Sequence, residues 1–198
     1  MEQDVLVKNL EKKGFTPHVF STKEAAADYL VQTIHDTLVG IGGSVTVDQL
    51  DVYDRLCQSN EVLWHWKRQD IDVRPRASVA ETYLCSANAV SQTGEIVNID
   101  GGGNRVAATL FGPERVFLVI GKNKIEPTLE KAVWRARNIA APLNARRLGR
   151  KTPCALGEMR CYDCSSPERI CAGLVVLMKK PMSVRECHVL LLDEELGF

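Results

Sequence analysis

The chain lacks an excess of charge of either sign: 25 Lys and Arg stand against 25 Asp and Glu in 198 residues. A nucleic-acid binder usually shows a basic surplus, so that class loses its simplest support. No apolar run approaches the roughly 18 residues that span a bilayer, and a membrane span is not expected. The opening MEQDVLVKNLEKKG carries acidic side chains and no small-residue cleavage site, unlike a secretory leader. Internal repeats and low-complexity tracts are missing. So are G-x-S-x-G and G-x-G-x-x-G, which leaves no ready case for a serine-hydrolase elbow or a dinucleotide fingerprint. What remains is a cytoplasmic globular protein, 45% hydrophobic and 25% charged. The whole of 1–198 reads as one domain, long enough to fold without disulfides or a metal.

Helix-like and strand-like segments alternate. Helices are expected over 2–13, from Ser21 (a capping box with Glu24), from Thr46 (with Gln49) to about 59, over 76–85, and after Pro127. Strands are expected at 15–20, where Pro17 favours an edge, and at 38–42, 61–65, 115–121, 172–178 and 187–192. Residues 89–100 read as a hairpin around Thr93-Gly94, and 68–74 as a charged link. Trp64 and Trp66 flank His65 and should share one face. The class is α/β, three layers around a mostly parallel sheet that the hairpin makes mixed.

Seven cysteines are the exception to this ordinary composition. The odd number and absent leader favour a reducing compartment. Cys57, Cys85 and Cys187 are scattered, but Cys154, Cys161, Cys164 and Cys171 fall within 152–171 as C-x6-C-x2-C-x6-C. Four thiolates can enclose zinc or hold an iron–sulfur cluster, and Pro153, Gly157 and Pro167 keep this loop from becoming a regular helix. The plainer alternative is four reduced thiols on a surface loop. Just upstream, Lys131, Arg135, Arg137, Arg146, Arg147, Arg150 and Lys151 occur with no acidic residue from 131 to 157. Such a patch lowers thiolate pKa values, offsets cluster charge or holds an acidic partner.

A third segment, Asp100-Gly101-Gly102-Gly103-Asn104-Arg105, follows a strand. Its glycines could turn their amides outward to cradle an anion, with Arg105 and Lys122 or Lys124 completing a phosphate or carboxylate site. The alternative is a glycine-rich turn capped by Asp100. His18, His35, His65 and His188 give no motif.

Read together, SANA, TGEIVNIDGGGNR, GPERV, GKNKI, TPC, CYDC and SPERIC occur in order, and the chain resembles the LUD-domain family of lactate-utilisation proteins. The resemblance implies a Rossmann-like three-layer sandwich related to CoA transferases and sugar-phosphate isomerases. It also ranks an iron–sulfur cluster above zinc, because family members serve an iron–sulfur lactate-oxidising system. The ferredoxin-type motifs of the larger member of that system are missing here, so this is the small, stand-alone type with a C-terminal cysteine segment.

Two functions follow. One is a metal- or cluster-binding accessory subunit of an oxidation pathway such as lactate utilisation, with iron–sulfur or oxidoreductase partners. The other is an enzyme on a CoA-transferase-like fold that binds a small anion at Asp100–Arg105 and Lys122–Lys124, its cysteine loop a structural lid with zinc or none. A zinc-stapled interaction domain without chemistry is a third, blander option. A homodimer is the expected assembly.

Overall fold

A six-stranded sheet organises the chain. The computed structural model describes residues 2–69 and 72–198; part of the charged link at 68–74 lies outside them. Helix α1 (Glu2–Lys12) ends at Gly14 with φ +80°, as a left-handed C′ glycine allows. Strand β1 (Thr16–Phe20) precedes α2 (Lys23–Thr33), β2 (Leu38–Ile41), α3 (Val45–Gln49), α4 (Tyr53–Leu56) and β3 (Glu61–Trp64). Then come α5 (Val73–Ser78), β4 (Thr82–Ser86), β5 (Ala89–Ser91), β6 (Ile96–Asp100), α6 (Asn104–Leu110) and β7 (Arg115–Gly121). A 3₁₀ turn at Lys122–Lys124 leads to β8 (Ile125–Glu126), α7 (Leu129–Arg135), α8 (Ala141–Arg147), α9 (Pro153–Leu156), β9 (Gly173–Leu177) and β10 (Glu186–Leu192). Among the described residues, no helix is long and apolar enough to cross a membrane.

The main sheet runs β1-β10-β7-β4-β2-β3, every neighbouring pair parallel. Pro17 sits on the edge strand β1, where its missing N–H costs no ladder bond. The solid apolar strands are explained by burial on both faces. In β7, Val116, Leu118 and Ile120 enter one core while Phe117 and Val119 enter the other; β10 repeats the alternation with Val189 and Leu191 against Leu190 and Leu192. Helices α2 to α4 cover one face, and α1 with part of a second sheet covers the other. This is a Rossmann-like three-layer α/β arrangement.

Several sequence expectations need correction. Residues 76–85 are not one helix. Short α5 ends at Ser78, and Thr82–Ser86 is the central strand β4, buried along its whole length. Tyr83 and Cys85 point into one core and Leu84 into the other, a period of two that overrides the local helical pattern. The hairpin is real but does not make the main sheet mixed. It pairs β5 with β6 in a separate four-stranded sheet, β8-β5-β6-β9, which also takes the expected strand at 172–178. Caps also shift. Thr22, not Ser21, accepts from Ala25 N at 3.2 Å, and Ser44, not Thr46, accepts from Val47 N at 3.2 Å. The expected helix 46–59 splits into α3 and α4 at Asp51, whose φ is +51°. Thr128 caps α7, leaving Pro127 outside it. The helix then widens into π geometry over Ala136–Ala140, ahead of Pro142, which has no N–H to give the carbonyl four residues back. Trp64 and Trp66 do stack, with ring centroids 5.6 Å apart.

Candidate functional site

The C-terminal ends of the parallel strands open into a cavity of about 480 Å³. Gly43 and Ser44 follow β2, His65 and Trp66 follow β3, Ser86 to Asn88 close β4, and Lys124 follows β7. Strand ends in an open parallel sheet are where such folds bind ligands, because the loops that leave them splay apart. The far wall comes from α8 and from Pro167–Ile170 of the cysteine segment.

Charge on the lining is one-sided. Arg74, Arg105, Lys124, Arg147, Arg150 and Arg169 face the cavity, against the carboxylates of Asp100 and Glu168. Four of the six cations are already engaged. Arg105 donates to Ser86 O at 3.1 Å, to Ile99 O at 2.6 Å and to Asn98 Oδ1, and pairs with Asp100 at 3.5 Å. Arg147 donates to Asn144 Oδ1 at 2.8 Å and lies 5.0 Å over the Trp66 ring, a cation–π contact. Arg169 donates to Cys164 O at 2.7 Å and Cys171 O at 3.1 Å. Lys124, 2% exposed, donates to Thr46 Oγ1 at 2.7 Å. The side chains of Arg74 and Arg150 have no ion-pair or hydrogen-bond partner among the described residues. Burial, and then the charge of Arg74, hold the His65 imidazolium pKa below its ordinary value. Burial, and then Arg135 and Arg105, bring Lys124 down to about 7.

The glycine-rich turn does not offer its amides to a ligand. Gly102 N and Gly103 N both donate to Asp100 Oδ1 at 3.0 Å, so the residue that opens the turn fills its concavity. Asp100, Gly101, Gly102, Asn104, Arg105 and Lys124 line the cavity; Gly103 and Lys122 do not. Lys122 is exposed and pairs with Asp193 at 3.2 Å. Gly101 serves packing: a Cβ there would stand 2.8 Å from Ile170 O, where the cysteine segment crosses the turn. Sequence reasoning did not single out His65, Trp66, Arg74, Ser86, Asn88 or Arg169 as site residues; Ser86, Asn88 and Arg169 lie within the SANA and SPERIC segments, and all six meet only through the strand order and the return of the cysteine segment.

Cys154, Cys161, Cys164 and Cys171 ring a second, much smaller cavity of about 20 Å³. Asp163, in the left-handed region at φ +46°, makes the tight turn between Cys161 and Cys164. Cys161 Sγ accepts from Asp163 N at 3.4 Å and from Arg137 Nη2 at 3.6 Å. Burial pushes the Cys171 thiol pKa up; Arg169 opposes this, and Cys154, Cys161 and Cys164 add to it. All four cysteines are free thiols. Thiols are soft donors of the kind a thiophilic ion takes, and one of these sulfurs also accepts from N–H groups. Their side chains are not drawn in around one centre: among the described residues, no three His, Cys, Asp or Glu are arranged to hold an ion. Of the upstream basic residues, Arg147 and Arg150 face the large cavity and Arg137 the small one. Arg135 is buried, donating to Asn123 O at 2.8 Å and Asn88 O at 2.7 Å. Arg146 supports α9, donating to Ala155 O at 3.2 Å.

Residues 3–192 match the LUD domain. The chain belongs to the LUD domain family. This LUD domain is also similar in structure to a DUF162 family protein from Deinococcus radiodurans, with a TM-score of 0.55 at 14% identity over 97% of this chain and 96% of that one. At that identity the likeness speaks for the fold alone. A comparison of the LUD sequence with curated proteins finds no match.

Proposed function

We propose that this LUD domain binds a small organic anion, carrying phosphate or carboxylate groups, in the cavity at the C-terminal edge of its parallel sheet. One observation carries the reading: six cationic side chains face two carboxylates there, and the side chains of Arg74 and Arg150 have no partner among the described residues. Cations gathered in a cleft raise the local concentration of anions, and free guanidiniums supply charge-assisted hydrogen bonds to phosphate or carboxylate. The reading places the binding charge on the arginines rather than on the amides of Gly102 and Gly103, which Asp100 already takes. Calorimetric titration with inorganic pyrophosphate tests this. Binding should weaken in Arg74→Ala and Arg150→Ala and survive in Lys122→Ala; equal affinity in all four proteins overturns it.

The ring of four cysteines favours a second role beside the first, in which Cys154, Cys161, Cys164 and Cys171 bind a thiophilic metal. Four thiolates are a ligand set for zinc or for an iron–sulfur cluster. An iron–sulfur cluster would suit an accessory subunit of an oxidation pathway such as lactate utilisation with an oxidoreductase partner. Such a metal would staple the loop or, as a cluster, carry electrons. Zinc, iron and acid-labile sulfide per chain, measured on protein purified without oxygen, separate the two. Cys161→Ser should lose whichever is found, and a chain that holds neither ends the metal reading.

A further inference from the structure

At the floor of the large cavity, Ser86 Oγ and Lys124 Nζ stand 3.0 Å apart, Ser86 at the end of β4 and Lys124 in the 3₁₀ turn that follows the neighbouring β7. Ser86 is 4% and Lys124 2% exposed, yet both reach the cavity wall. The geometry points to a nucleophile–base pair, Ser86 and Lys124, for hydrolysis of an anionic ester or thioester held in this cavity. The inference rests on the anion-binding reading above for its substrate class.

The surrounding hydrogen bonds suit a neutral amine. Thr46 Oγ1 directs its own hydrogen to Leu196 O at 3.3 Å, so it accepts from Lys124 Nζ at 2.7 Å. Ala87 O accepts from Nζ at 3.2 Å. Two N–H bonds are thus spent, and the third neighbour of Nζ is Ser86 Oγ at 3.0 Å; the Ser86 hydroxyl can donate to Thr46 Oγ1 or Ala87 O, each at 3.2 Å, or, once the amine is neutral, to its lone pair. Among the described residues no carboxylate pairs with Lys124. The charged groups facing it are Arg105 from α6 and Arg135 from α7, while Asp100 and Glu126 pair with those arginines at 3.5 and 3.8 Å. Removal from water and two like charges favour the unprotonated form, so the amine can accept a proton near neutral pH.

In the first step Ser86 Oγ bonds to the acyl carbon and its proton passes to Lys124 Nζ. The bond from that carbon to the leaving oxygen or sulfur breaks, and the leaving group takes the proton from Nζ. Water then adds to the Ser86 ester with its proton moving to Nζ. The carboxylic acid departs, and Oγ recovers the proton. Serine paired with lysine is an established variant of the serine–histidine arrangement.

The probe is mono-4-nitrophenyl succinate, an activated ester with a free carboxylate. Release of 4-nitrophenolate should leave a succinyl group that peptide mapping places on Ser86, at a rate that climbs with pH and levels off near the Lys124 value. Ser86→Ala should abolish the adduct, and Lys124→Arg, which keeps the charge but cannot accept a proton, should slow it by about a hundredfold or more. The wild-type pH profile needs no variant to fold. An adduct elsewhere, no adduct, a rate still climbing steadily to pH 9, or a Lys124→Arg protein as fast as wild type overturns the pair. Pyrophosphate binding without acylation sinks the pair and spares the anion site. Lys124-dependent acylation of Ser86 without pyrophosphate binding does the reverse.

Discussion

Arg150→Ala should do two opposite things, weaken anion binding and leave the fold as stable or slightly more so. Arg150 lies just beyond α8, exposed on the cavity rim, with no partner for its side chain among the described residues. A hydrogen bond from a charged donor contributes about 1.5–3 kcal/mol, and exposure places this one near the lower end. Since 1.4 kcal/mol is tenfold in affinity, the Kd for pyrophosphate should rise about tenfold. Arg74→Ala should act alike, and the double variant by about a hundredfold if the two contacts are independent. All these affinities should fall as salt rises, because rim charges are screened over roughly 10 Å at 0.1 M. Unpaired cations repel one another, so deleting one removes strain of a few tenths of a kcal/mol rather than support. For a chain of this size that shifts the melting temperature by only about 1–2 °C. Calorimetry reads the first effect and differential scanning fluorimetry the second. Lys122→Ala, outside the cavity, is the control. If Arg150→Ala binds as wild type does, or loses binding only by melting several degrees earlier, the cavity's free charge is not the binding determinant.

Gly40→Ala should be among the most damaging changes in the fold. Its Cβ would stand 2.0 Å from Ala77 O, driving α5 off β2, and a loss above about 3 kcal/mol is expected in denaturant unfolding. Gly101→Ala should cost about 1–3 kcal/mol in denaturant unfolding by pushing the Ile170 backbone from the glycine turn. Stability should depend on pH through Lys124. Its folded value of about 7 lies below the ordinary 10.5, so above pH 7 the unfolded chain binds more protons and stability rises with pH. The clean window runs from about 7 to about 9, below the titration of buried Cys85, whose thiol is pushed up to about 12 from 9.0. There the slope should approach roughly 1.4 kcal/mol per pH unit, and Lys124→Met should flatten it. A flat wild-type profile would show that Lys124 is not desolvated as described.

The class of fold was legible because its signals are long and periodic. RVFLVIG and CHVLLL are apolar on both faces, and only the middle of a parallel sheet gives such runs a place. The misread helix at 76–85 shows where that legibility ends. TYLCS contains Thr82, Ser86 and a buried Tyr83, so its polar atoms disguised a central strand. Caps slipped by one or two residues because Ser21-Thr22 and Ser44-Thr46 each offer competing hydroxyls, and only the backbone conformation chooses between them. The four cysteines were found by spacing alone, and the structure gathers them around one cavity. The pocket was not legible in the same way. His65, Arg74, Ser86 and Arg169 are brought together by the order β4-β2-β3 and by the return of the cysteine segment, neither of which leaves a local trace.

The glycine turn and the cysteine segment make sense only as one structure. Asp100 consumes the amides of Gly102 and Gly103, and the bare face of Gly101 receives Ile170 O, while Ala172 N donates to Asp100 O at 3.0 Å. The turn thus seats the end of the cysteine segment. Ala141, Arg169 and Ile170 line both cavities, so one stretch of chain is the wall of each. Arg169 is held from the thiol side, by Cys164 O, Cys171 O and Asp163 Oδ1 at 3.1 Å, and also lines the large cavity. Whatever fixes the four sulfurs therefore also fixes one of the six cations of the anion cavity.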